Sequence, residues 1–311
     1  MEPAASASQR SYRIAGVACV AMGAMLFASK GIFAKTLYAQ GVGFEALVAI
    51  RAVLALPLFV IFTVSREGSA RVLATPRRAV LAAAFVGFLC YYVGAMLDFY
   101  ALTLIDASIE RVLLFSYPAM IVLFTSLRTH RWPEPRVLVA VGLTYFGIFL
   151  AVGGFDNREV RANAFGALLV IGSALTYAIY YLISERYTRE IGSARFTLYA
   201  MGASTVALVV HFAVRGSLAQ IAAIQAPSWV LLAVLAVFGM FVPALLQAEG
   251  VKRVGAQRGS VISTVGPPTT IGLAWLLLGE QMSVWQFAGT AAIVGGILIL
   301  ELARSARGDR R

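Results

Sequence analysis

The sequence predicts an all-α polytopic membrane protein, with ten transmembrane helices as two inverted five-helix repeats around a central cavity. Three observations predict it. The 311 residues are 60% hydrophobic and 13% charged, with a mean hydropathy of +0.81, whereas a soluble domain is about a quarter charged. The apolar residues fall in blocks of about 20, the length that crosses ~30 Å of hydrocarbon. The second half of the chain repeats the layout of the first.

Hydropathy places the spans at 14–37, 43–64, 78–100, 103–127, 136–154, 163–184, 194–214, 228–249, 255–278 and 284–303. The connections are too short to hold a soluble domain. The first span has the basic flank of a signal peptide, Arg10 and Arg13, but Lys30, Lys35 and a repeat partner in the sixth span argue that it stays. The second carries Arg51 about eight residues in, which a 1.5 Å rise converts to a depth of roughly 12 Å. The third sets Tyr91, Gly94, Ala95 and Asp98 on one helical face. The fourth, from ASIERVLLFSYPAMIVLF (107–124), opens with adjacent charges, Glu110 and Arg111, and carries Pro118 in mid-run. The fifth has a late glycine, Gly147. In the sixth, Tyr177, Tyr180, Tyr181 and Ser184 fall at i, i+3, i+4 and i+7, a single face. The eighth repeats that spacing with Met240, Pro243, Ala244 and Gln247, and the ninth contains Pro267 and Pro268.

The net charge of +11 is a topology signal and not a nucleic-acid patch. With the N-terminus inside, the inner segments hold 19 Lys and Arg residues and the outer segments 4, while Lys30, Arg51 and Arg111 lie within spans. The positive-inside rule then puts both termini in the cytoplasm and supports an even number of spans. Cys19 and Cys90 lie in apolar runs without a spacing partner and read as packing residues. His130 and His211 are too few for a metal site.

At an offset of 149 residues, Ala107, Pro118, Leu127, Gly147 and Ile148 meet Ala256, Pro267, Leu276, Gly296 and Ile297. At 150, Gly16, Ala24, Phe27 and Ala28 meet Gly166, Ala174, Tyr177 and Ala178. The repeats are assigned to 1–155 and 156–303, with a basic cytoplasmic tail at 304–311. Five spans per half give the second half the opposite sense, the usual architecture of secondary transporters with a midplane substrate site. Two readings of Pro118, Pro267 and Pro268 stand open: helix kinks facing a shared cavity, and kinks that serve packing alone.

The whole chain resembles the EamA family of the drug/metabolite transporter superfamily. The resemblance rests on Arg51, FYAL (99–102), the mid-helix prolines and GPPTTIGLAWLLLGE (266–280) followed by Gly289. In the first repeat the GE position reads His130-Arg131, a departure. The aromatic content is most similar to the bacterial aromatic amino acid exporters. The resemblance implies that helices one, three, four, six, eight and nine surround a central path in an inner-membrane transporter.

Tyr91, Asp98, Tyr117, Tyr177, Tyr180, Tyr181 and Gln247 are the candidate wall of a substrate cavity suited to amphipathic molecules, since aromatic faces stack on rings and attract ammonium groups. Lipid-facing aromatics are the alternative. Arg51, Glu110 and Arg111 are candidate buried charges. For Arg51 the readings are a structural ion pair or a substrate-carboxylate contact; for Asp98 and Glu110, structure or proton coupling. The expected partners are a small molecule, the bilayer and protons, with no cofactor, metal or nucleic acid. No GxxxxGK[ST] motif marks a nucleotide-driven pump, and no placed Asp, Ser or His set marks an intramembrane enzyme. A passive facilitator stays open.

Overall fold

A computed structural model describes residues 2–129, 135–152, 154–215, 218–255, 259 and 262–308. His130, Arg131, Ala256 and Arg258 lie outside the described residues. Every regular element among the described residues is helical, the one segment type that satisfies all its backbone groups internally in lipid.

The first span is two helices, α1 (Glu2–Ala28) and α2 (Lys30–Ala39), parted at Ser29, whose hydroxyl donates to the Leu26 carbonyl at 2.7 Å. α3 (Phe44–Glu67) is followed by the short α4 (Ser69–Leu73). The third span runs from α5 (Arg77–Gly87) through a π turn (Phe88–Gly94) into α6 (Ala95–Ala101). The fourth is α7 (Ala107–Leu114) and α8 (Tyr117–Thr129), and α9 is Pro135–Val152. α10 (Asn157–Ile191) reaches α11 (Ser193–Arg215) through Gly192 alone, at a φ of 89° that a side chain would strain. After α12 (Leu218–Ala222), α13 (Ala226–Ala236) passes through a second π turn (Val237–Phe241) into α14 (Val242–Val254). A 3₁₀ turn (Ser263–Val265) opens α15 (Gly266–Leu278), and α16 is Val284–Gly308.

Among the described residues, seven helices are long and apolar enough to cross a membrane: Ser11–Ala39, Phe44–Glu67, Arg77–Ala101, Ala107–Leu127, Arg158–Ile191, Ser193–Arg215 and Ala226–Val254. They fall on the first four expected spans and on the sixth, seventh and eighth. Leu138–Val152 is a shorter apolar helix at the fifth. The two π turns start at Phe88 and Val237, the same 149-residue offset that relates the two halves in sequence.

The prolines do not kink continuous helices. The fourth span breaks at Phe115 and Ser116, and Pro118 is the second residue of α8. Pro267 and Pro268 likewise occupy the first turn of α15. A proline there forfeits no helical hydrogen bond, because its N–H would have had no intrahelical partner. These prolines therefore start helices. Pro57, inside α3, is the contrasting case.

Packing is closest where glycine removes the side chain. A Cβ at Gly289 would sit 2.5 Å from the Ala151 nitrogen, and one at Gly296 would sit 2.7 Å from the Ala140 oxygen, so α16 lies directly on α9. Such small-residue seams drive helix association in lipid, where burial of apolar surface offers little. Outward faces carry exposed Leu81, Phe85, Val206, Trp275 and Leu276, while Lys30, Arg51, Asp98, Glu110, Arg111 and Gln247 are buried. Apolar outside and polar inside is the arrangement a lipid solvent favours.

Candidate functional site

Three devices bring side chains from both halves of the chain to one central cavity. The π turn of the third span carries Tyr91 inward. The break at Phe115 and Ser116 re-aims the fourth span, so that Arg111 precedes it and Tyr117 follows it on the same wall. The i, i+3, i+4, i+7 face of α10 presents Tyr177, Tyr180, Tyr181 and Ser184.

The rings form a connected set. Tyr117 lies tilted over Tyr181 at 5.1 Å and over Tyr177 at 6.3 Å, and Tyr91 meets Tyr180 edge-on at 5.1 Å. Each ring gives a neighbour or a ligand a stacking partner of ~0.5–1.5 kcal/mol beyond burial. Gln247 ties the wall together. Its Oε1 accepts from the Tyr181 hydroxyl at 3.2 Å, and its Nε2 donates to the Val20 carbonyl at 3.2 Å and the Ser263 hydroxyl at 3.4 Å. The cavity measures about 40 Å³, room for about three waters at ~10–15 Å³ each. An aromatic ligand enters only if tyrosine rings turn aside.

A layer of buried charge lies against this cavity. The Lys30 ammonium contacts the Asp98 carboxylate and donates to Glu110 Oε1 at 3.3 Å. Arg51 lays its guanidinium 4.1 Å from the centre of the Phe99 ring, and Lys30 stands 5.3 Å from the same ring. The Tyr38 hydroxyl donates to the Phe99 carbonyl at 2.8 Å. Arg111 donates from Nη2 to the Ala24 carbonyl at 3.2 Å and packs on Phe115 at 5.2 Å.

Of the residues the sequence singled out, the structure gathers Tyr91, Tyr117, Tyr177, Tyr180, Tyr181 and Gln247 around the cavity, together with Arg111. It places Asp98 with Glu110 on Lys30, outside the cavity wall, and Arg51 on Phe99. Glu110, in the first turn of α7, is 1% exposed, and Arg111, in its last turn, is 5% exposed. Sequence reasoning missed Lys30 as the hub of the two carboxylates; its place in an apolar run was the available signal. It also missed Ser263 and Phe115, which no periodicity marks.

The sequence model of the EamA-like transporter family matches this chain twice, over residues 14–153 and 164–302. The chain is 33% identical over 300 residues to the uncharacterized transporter YcbK of Bacillus subtilis, covering 95% of this chain and 96% of that one. It is 25% identical over 286 residues to an uncharacterized transporter of Archaeoglobus fulgidus, covering 91% and 95%. A solved crystal structure superposes with a TM-score of 0.65 at 17% identity, covering 94% of this chain and 97% of the other, a likeness of fold.

Proposed function

We propose, from the premise that this chain belongs to the EamA-like transporter family, that it is a secondary transporter exporting small amphipathic metabolites across the bacterial inner membrane. Aromatic and other neutral amino acids are the foremost substrates. Two inverted five-helix repeats, ten spans in all, rock about a midplane site and open it alternately to each side. The termini face the cytoplasm.

One observation carries this reading: a small cavity whose wall comes from both halves, Tyr91 and Tyr117 from the first and Tyr177, Tyr180, Tyr181 and the amide of Gln247 from the second. A ligand bound there touches both repeats, as an alternating-access site requires. The helix starts at Pro118 and at Pro267–Pro268 supply breaks in the fourth and ninth spans about which half-helices can turn.

The test is uptake of a labelled amino-acid panel into liposomes holding the pure protein, with and without a pH gradient. Tyr177→Ala and Tyr91→Ala should weaken phenylalanine or tryptophan uptake by about 1 kcal/mol, several-fold in affinity, and small aliphatic substrates less. Equal losses for all substrates would assign these rings to packing. No loss at either position would remove the cavity as the site.

A further inference from the structure

Arg111 stands apart among the buried charges. The Lys30 ammonium has two carboxylates, Asp98 and Glu110, while Arg51 and Arg111 have no ion-pair partner within 4.0 Å among the described residues. Three cations against two carboxylates leave one positive charge over. Arg51 rests on Phe99 and does not line the cavity, so of these three cations Arg111 alone belongs to the described wall.

The guanidinium is built into its place. It is 5% exposed, reaches from α7 to the Ala24 carbonyl of α1 and lies against Phe115. Glycine at 266 makes room for it, since a Cβ there would sit 2.8 Å from Nη2. Its Nε–H has no acceptor among the described residues. A buried donor and an uncompensated buried charge are both unfavourable unless something supplies an acceptor and an anion. The planar fork of a guanidinium matches a carboxylate in two parallel hydrogen bonds.

The described wall of the cavity contains no Asp or Glu. A substrate ammonium would therefore meet ring faces and amide or hydroxyl oxygens, never an opposite charge. We propose that Arg111 anchors the substrate's carboxylate, and that the cavity takes monocarboxylates with an aromatic or apolar tail for which the α-ammonium is dispensable. This rests on the transport reading above and narrows its substrate class. Electrostatically, one surplus cation binds one carboxylate; sterically, the tyrosine set receives the tail.

The experiment compares initial uptake of labelled phenylalanine, phenylpyruvate and phenylalaninamide into liposomes holding the protein. The first two share a carboxylate, and the third lacks it. The expected result is carriage of both acids and a disadvantage of roughly tenfold or more for the amide, because a site built around a polar partner rejects analogues that lack it. Arg111→Gln should bring the acid-to-amide ratio toward one. Arg111→Lys should keep the preference at weaker affinity, and Gly266→Ala should reduce it several-fold by displacing the guanidinium. The ratio within each variant is insensitive to a loss of folded protein, and Gly266→Ala carries the test if Arg111→Gln does not fold. Equal carriage of all three compounds, or an unchanged ratio in the Arg111 and Gly266 variants, would overturn the anchor and leave the transport reading standing. Carriage of none would overturn the transport reading and this inference with it.

Discussion

The Glu280 carboxylate caps a helix from the other half of the chain: it accepts from the Ser108 backbone N–H at 3.1 Å and from the Ser108 hydroxyl at 2.7 Å, across 172 residues of sequence. The Ala107 N–H donates to the same group at 3.0 Å. The first N–H groups of any helix lack intrahelical partners, and a carboxylate there is further favoured by the helix dipole. Asp106 has the extended backbone of an N-cap but makes no capping bond. The distant residue has taken the local residue's place.

Glu280→Ala should therefore lower stability by about 1–2 kcal/mol, the scale of losing a charged cap, while Asp106→Ala should change it little. Thermal unfolding of the detergent-solubilised variants measures both. Burial, then the charge of Glu280, raises the Asp106 carboxyl above the usual range. An acid whose folded pKa is raised binds its proton more tightly when folded, so its contribution to stability falls as pH rises from the unfolded to the folded value. Asp106→Asn should flatten that dependence, and an unchanged pH profile would show that Asp106 is not its source.

Lys30→Met should nearly abolish folded protein, because it leaves Asp98 and Glu110 buried together without a cation. Removing one member of a buried charge set costs roughly 3–5 kcal/mol. The triple variant Lys30→Met, Asp98→Asn, Glu110→Gln should recover much of the yield. Monodisperse protein by fluorescence-detected size exclusion reads this directly. Equal yields of the single and triple variants would show that charge compensation is not what Lys30 provides.

Gly289→Ala should be among the most damaging single-methyl changes, since its Cβ would meet the α9 backbone at 2.5 Å. Gly272→Ala, with nothing within 4 Å, should be neutral or stabilising. Comparing their melting temperatures tests whether the α9–α16 seam is as tight as drawn.

Topology is checked with Ala5→Cys and Gly308→Cys in a chain whose Cys19 and Cys90 are alanine. Both should resist an impermeant thiol reagent in intact cells and react after permeabilisation. Reaction of either in intact cells would reverse the orientation read from the arginine bias.

What could be read from the sequence was whatever a helix repeats locally. The spacing of Tyr177, Tyr180 and Tyr181 puts them on one face whatever that helix packs against, and all three line one cavity. The long apolar runs gave seven of the expected spans, with edges moved by a few residues. Long-range pairing was not legible. Nothing at Lys30 announces partners 68 and 80 residues away, and Asp98, which a regular helical count puts on the face of Tyr91, pairs with that lysine. The π turn between Phe88 and Gly94 inserts a residue into the helical repeat, so a strict 3.6 count from Tyr91 to Asp98 misjudges which side Asp98 faces. The prolines were conspicuous but ambiguous, because a helix start and a kink use the same residue and differ only in where the preceding turn ends.

The Lys30 cluster also sets an order on how the chain is made. Lys30 is synthesised 68 residues before Asp98 and 80 before Glu110. A lone ammonium at the centre of an inserted helix costs roughly 2.5–3.5 kcal/mol on insertion scales. Until α6 and α7 emerge, the first helix can lower that cost only by reaching its lysine toward the headgroups, which holds it out of its final seat. A nascent chain halted before residue 98 is thus caught with its first helix unanchored. One halted after α8 already contains every member of the cluster, and the arrival of α7 is the event that locks the earliest helix in place.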